Sequence, residues 1–240
     1  MCTVSIYFKG NNDFVLTSNR DEAPNRISLS PEHSLYKGVN ILYPKDKLSG
    51  GTWIGVSENK RMICLLNGGF KIHERKPQYR QSRGVVVKDL LSLETINDAL
   101  HYNYDNIEPF TLVIADWNAS LAFYEIVWDG QNAHFKELAL TSHIWSSSTL
   151  YTEEKKQSRK DWFADFKSKN KLTSSSLLDF HKTAGKGNLD FGVIMDREFV
   201  KTTSVTQVEK TDESITMRYE SIVDKTVFIE AYKSPEVINE

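Results

Sequence analysis

Apolar and β-branched residues fall in short runs along most of this chain, and the runs read mainly as strands. Thr3-Val4-Ser5-Ile6-Tyr7-Phe8 is β-rich, Gly10-Asn11-Asn12 is a turn signal, and Phe14-Val15-Leu16 resumes a strand. The spacing predicts further strands over 52–56 and 61–66 about a turn at Glu58-Asn59, and over 110–115 and 121–128. Asp129-Gly130 then predicts a hairpin into 133–138. Late strands are expected at 191–195, 200–208, 214–219 and 226–229. Helical patterns gather in two places, 79–91 with 94–102 and 152–169 with 175–183. In the longest of them, Trp162, Phe163 and Phe166 mark one buried stripe among charged residues, which is the pattern of core packing. Thr152 suits its N-cap, with Glu153 and Glu154 near the positive helix end. Strands, helices, strands, helices and strands in that order predict an α+β protein with two sheets and outer helices.

The first hairpin also has a chemical consequence, because it returns Asn19-Arg20-Asp21-Glu22 to the neighbourhood of Cys2. Adjacent strand residues face opposite sides. Arg20 and Asp21 therefore share a face only if the chain turns there, and Pro24 predicts such a departure from the strand.

Composition narrows the function classes. The chain has 240 residues, 40% hydrophobic and 26% charged, with a net charge of −2. It shows no linker and no repeat, so a single domain over 1–240 is expected. The near-neutral balance argues against a nucleic-acid binder, which needs a broad basic surface. Cys2 and Cys64 are the two cysteines, and Cys64 sits in the apolar run Met62-Ile63-Cys64-Leu65-Leu66, which reads as core. With no disulfide framework, no signal-peptide pattern and no run of the ~20 apolar residues that a membrane span needs, a soluble, cytoplasmic protein is expected. The six histidines are scattered without metal-binding spacing, so no metal is expected.

Cys2 is the leading chemical candidate. A small second residue favours removal of Met1, which would leave a thiol and a free α-amine on one residue. The amine titrates near pH ~8 and the thiol near ~8.5. Proton transfer between them yields a thiolate without a histidine partner. The plainer reading is the apolar start of an edge strand.

Met1-Cys2, the run Leu16-Thr17-Ser18-Asn19-Arg20-Asp21-Glu22, and Gly50-Gly51-Thr52-Trp53-Ile54-Gly55 together resemble the NRDE family, which includes the transport-and-Golgi-organisation proteins. The likeness continues through Leu66-Asn67, Ser82-Arg83-Gly84 and Pro109-Phe110-Thr111-Leu112-Val113-Ile114-Ala115-Asp116, most of the chain. The resemblance implies a four-layer α-β-β-α sandwich of the N-terminal-nucleophile hydrolase type, whose cysteine branch includes penicillin acylases and bile-salt hydrolases. It also implies roles: Cys2 as nucleophile with its amine as base, Asp21 as the orienting carboxylate, Arg20 as a cation for the thiolate, and Asn67 as an oxyanion donor. Asn19, Trp53 and Ser147 are expected at the substrate. Two departures stand out. The bile-salt-hydrolase relatives carry their arginine three residues before the aspartate, whereas Arg20 is adjacent to Asp21. Ser147 is the nearest match to a second asparagine found in many relatives.

Two functions follow. One is a cysteine hydrolase or acyl transferase acting on a small amide or thioester, without a cofactor. The other is a non-catalytic carrier or chaperone for haem or acyl-lipid, in line with relatives linked to haem trafficking, lipid metabolism and Golgi organisation. Lys71, His73, Arg75, Lys76, Arg80 and Arg83 form a basic stretch with one opposing charge, Glu74, able to grip an anion or to lie in solvent. Gly50-Gly51-Thr52-Trp53 lacks the phosphate-loop pattern, and its glycines are expected to permit a tight turn.

Overall fold

The opening hairpin follows from its turn residues. Strands β1 (Thr3–Gly10) and β2 (Asp13–Glu22) are joined through Asn11 and Asn12 at φ 51° and 66°, the left-handed pair that matches strand twist and that asparagine tolerates. The computed structural model describes residues 3–232, so Cys2 lies outside the described residues.

β2 does not turn at Arg20. It runs on as strand to Glu22, paired on one side with β1 and on the other with β11 (Lys201–Thr211). Asn19 and Asp21 therefore face one side and Arg20 the other, and the expected departure comes only at Ala23-Pro24. With β10 (His143–Ser146), β12 (Ser214–Ser221) and β13 (Thr226–Tyr232), these strands make an antiparallel sheet of order β10-β1-β2-β11-β12-β13.

The second antiparallel sheet runs in chain order. It comprises β3 (Ser28–Tyr36), β4 (Val39–Asp46), β5 (Ile54–Ser57), β6 (Arg61–Asn67), β7 (Phe110–Asp116), β8 (Ala122–Trp128) and β9 (Ala133–Leu138). The main core fills the space between the sheets, with Val4, Ile6 and Leu16 of one meeting Met62, Cys64 and Leu66 of the other. Cys64 is fully buried there as the sequence suggests, and burial pushes its thiol up to about 12.

Helices cover the outer faces, giving the α+β sandwich. Helix α1 (Arg83–Leu91) packs on β5 and β6, α2 (Glu153–Lys169) on β10, and α3 (Ser174–Thr183) on β2 and β11. Thr152 caps α2 by accepting from the Lys155 amide. Phe163 of its apolar stripe is buried against Val15, Leu177, Phe180 and Val193. Burying a side chain of that size contributes about 1.5–3 kcal/mol.

Several elements differ from the sequence expectation. β3 and β4 were not foreseen, because Pro31 and Pro44 and the polar residues among them hide an edge pairing that a ladder partner supplies. Residues 191–195 form no strand. They close a loop instead, with Val193 donating to the Ala184 carbonyl and Phe191 stacked on Trp162. α1 starts at Arg83 rather than 79, since the Arg80 amide is drawn away to the Asn106 carbonyl. The expected helix at 94–102 is a 3-10 turn, Ile96–His101, closed by a Thr95–Asp98 capping box.

Candidate active site

Asp21 is a buried, hydrogen-bonded carboxylate near the end of β2. It is 2% exposed, and it accepts from the Thr202 hydroxyl at 2.6 Å and from the Tyr151 hydroxyl at 3.0 Å. Thr202 reaches it because β11 pairs with β2 in the register Thr202↔Asp21, beside an irregularity between Thr202 and Ser204. Tyr151 arrives from the segment before α2. Its ring is sandwiched by cations, with the Arg159 guanidinium 3.8 Å and the Arg197 guanidinium 5.2 Å from its centroid. Arg159 is fully buried and donates to the Thr3 hydroxyl and to the carbonyls of Phe191 and Gly192. Thr3 pairs with Asn19 on one side and Ser146 on the other. The residue that follows Cys2 in the chain is thus fixed from three directions, close to Asp21.

Asn19 shares the Asp21 face but has another task. Its amide nitrogen donates to the carbonyls of His181 and Val193, both at 2.9 Å, and its side-chain oxygen meets His181 Nδ1. His181 Nε2 lies 2.8 Å from the Ser5 hydroxyl. Complete burial, then the Arg159 charge, push the imidazole down to about 3, so it is neutral. The network then sets the tautomer: Nδ1–H donates to Asn19 and Nε2 accepts from Ser5. Asn19, expected at the substrate, fastens α3 to the sheet through these bonds.

Arg20 lies on the opposite face of β2. Arg20 is 3% exposed and donates to Asp46 Oδ2 at 2.7 Å and to the Thr203 hydroxyl at 3.2 Å, with its guanidinium 4.7 Å above the Trp53 ring. Burial alone would raise Asp46, but the Ser49 amide, Arg26 and Arg20 outweigh it and hold the carboxyl below the usual range.

Trp53 is positioned by a glycine contact. A Cβ on Gly51 would lie 2.7 Å from the Gly84 carbonyl carbon, and one on Gly84 would lie 2.8 Å from the Thr52 amide nitrogen. Only bare backbone allows Thr52 to donate to the Gly84 carbonyl at 3.2 Å. The Gly51-Thr52-Trp53 and Ser82-Arg83-Gly84 segments, distant in sequence, thereby form one wall of a cleft of ≈430 Å³ that Arg20 and Asn67 also line.

Asn67 and Ser147 do come together. The Ser147 hydroxyl donates to the Asn67 carbonyl at 2.7 Å, and Ser147 is 1% exposed. Ser147 therefore seats Asn67 and does not reach the cleft itself. The junction needs Gly68, at φ +87°, where a Cβ would lie 2.2 Å from the Ser148 hydroxyl oxygen.

The Transport and Golgi organisation 2 family model matches residues 1–232. The chain belongs to this family. Comparison with curated protein sequences finds no match. Solved structures show what this family member is similar to in fold. The penicillin V acylase of Agrobacterium tumefaciens superposes with a TM-score of 0.58 at 12% identity, covering 95% of this chain and 85% of the other. The N-acylethanolamine-hydrolyzing acid amidase orthologue of Caenorhabditis elegans gives 0.58 at 14% identity, covering 86% and 92%. A variant of conjugated bile acid hydrolase from Clostridium perfringens gives 0.52 at 11% identity, covering 97% of each. The family member thus has the N-terminal-nucleophile hydrolase type of fold.

Sequence reasoning missed Tyr151, Thr202, Arg159 and His181. A lone tyrosine before a helix, or a threonine in a β-branched strand, carries no local signal of contact with a residue more than a hundred positions away. Among the described residues no group of His, Cys, Asp and Glu is placed to hold a metal ion, and no helix is long and apolar enough to cross a membrane.

Proposed function

We propose that this chain is a cysteine N-terminal-nucleophile hydrolase or acyl transferase acting on a small amide or thioester. The observation that carries the reading is the Asp21 carboxylate, buried with two hydroxyl donors beside the tightly held Thr3. The names of its structural neighbours, an acylase, an acid amidase and a bile acid hydrolase, support the same class.

In this reading Met1 is removed and the freed Cys2 amine takes the thiol proton. Asp21 orients the ammonium that forms. The thiolate attacks the substrate carbonyl carbon, and the Asn67 amide donates to the developing oxyanion; one such donor is worth roughly a hundred- to thousand-fold in rate. The bond to the leaving amine or thiol then breaks as the amine of Cys2 returns the proton to it. Water or an acceptor amine, deprotonated by the same group, attacks the thioester and releases Cys2.

Intact-mass spectrometry before and after a brief, limiting dose of a thiol alkylator tests the first step. The expected result is loss of the Met1 mass and rapid single labelling at Cys2, with turnover of amides or thioesters lost in Cys2→Ala and Cys2→Ser. A retained Met1, or turnover that survives Cys2→Ala, overturns the reading.

A further inference from the structure

The fold divides the basic stretch between β6 and α1 in a way the sequence does not announce. Arg80 is spent on backbone, donating to the carbonyls of Asp105 and Asn103. Lys71 and His73 line a neighbouring cavity of ≈520 Å³. Arg75 and Arg83 line the ≈430 Å³ cleft of the candidate site together with Arg20 and Arg26, and Lys76 lines both cavities.

The charges of that cleft do not cancel. Five basic side chains line it against three acidic ones. Asp46 and Glu22 are taken by Arg20 and Arg26. Glu108 is shared by Arg83 at 3.3 Å, Arg75 at 3.8 Å and His73 at 3.5 Å. Lys76 makes no ion pair among the described residues. The excess positive charge lies on the wall where α1 begins, and the positive end of a helix adds to it.

Two buried groups on the lining await a polar partner. The indole N–H of Trp53, 4% exposed, and the Ser82 hydroxyl at the α1 N-cap have no hydrogen-bond partner among the described residues. Apolar lining is sparse, chiefly Leu65, Trp53 and Pro77. A long methylene chain gains by leaving water only where apolar surface receives it, and this cleft offers little.

We infer that the cleft takes a compact anionic ligand whose carboxylate or phosphate is received by Arg75, Lys76 and Arg83. The substrate class that follows is a small, hydrophilic acyl amide or thioester bearing a negative group, rather than one with a long apolar chain. The substrate assignment rests on the proposed reaction, whereas the anion site does not.

Calorimetric titration of the full chain with succinate, inorganic phosphate, neutral succinamide and neutral hexanamide tests it. Succinate or phosphate is expected to bind, more weakly as salt rises, and the stronger of the two identifies the anionic group. Arg75 is 79% exposed in its side chain and Lys76 is on the surface, so R75Q/K76Q should keep the native unfolding midpoint. In that variant binding should fall by about tenfold or more, as expected for lost charge-assisted hydrogen bonds. Binding of succinamide or hexanamide equal to that of the anions, no anion binding, or anion binding unchanged in R75Q/K76Q overturns the inference. Anion binding that R75Q/K76Q weakens, alongside turnover that survives Cys2→Ala, would sink the proposed reaction and leave the anion site standing. Cys2-dependent turnover confined to neutral, long-chain amides would uphold the reaction and overturn the substrate class.

Discussion

At Asp21 a carboxylate is kept ready by hydroxyls. Removing one donor isolates that contribution. Tyr151→Phe keeps the ring that Arg159 and Arg197 flank but removes the 3.0 Å hydrogen bond. A hydrogen bond to a charged group is worth about 1.5–3 kcal/mol, so the unfolding midpoint should fall and kcat/KM on the substrate of the proposed reaction should fall roughly ten- to a hundredfold. His181 offers a check that needs no substrate. Held down to about 3 by burial, its imidazole should show the Nδ1–H tautomer and no titration in nitrogen NMR between pH 8 and 5. A midpoint near the ordinary value of ~6.5 would contradict that network.

Between elements, the tightest fit is the glycine crossing where α1 meets the strand-entry loop. Gly84→Ala brings a Cβ against the Thr52 backbone, which cannot yield as a flexible side chain can. Such overpacking costs typically ~1–3 kcal/mol, and thermal unfolding should register it. The same change should widen the cleft wall and weaken anion binding. A second fastening is the fully buried Arg61, which donates to Asp116 at 2.8 Å and to the carbonyls of Leu90 and Leu93 at the end of α1. Asp116→Asn would strand that cation and should cost about 3–5 kcal/mol in denaturant unfolding.

Across the whole molecule these buried groups make stability depend on acid. For His181 the folded value lies below the unfolded ~6.5, so the unfolded chain takes up the proton first. Its contribution is present in full above about pH 6.5 and is lost as pH falls toward about 3. Asp46 and Asp89 are also depressed, despite burial that alone would raise them. Asp89 is held down by Lys37, Tyr102, Tyr36 and Gln81. Their share is full above the unfolded value of ~3.9 and is lost as pH falls through the lower folded values. Urea midpoints should therefore start to fall below about pH 6.5 and fall further below about 4, with Asp46→Asn flattening the lower part. A midpoint constant from pH 7 to 4 would refute this account.

The opening hairpin, the central strand runs, the outer helices and the core position of Cys64 were legible in the residues, because alternation, turn chemistry and capping act within a few positions of one another. Asp21 and Asn67 were singled out only through their motifs. Edge strands such as β3 and β10 were not, since their stability comes from a ladder partner and leaves no hydrophobic period. The identity of Arg20's partner, the use of Asn19 and Ser147 as fasteners, the Tyr151–Thr202 cradle and the division of the basic stretch all belong to the tertiary structure. Each depends on which residues the strand register and helix docking bring within hydrogen-bond reach, a distance of a few ångströms set by contacts between segments far apart in the chain.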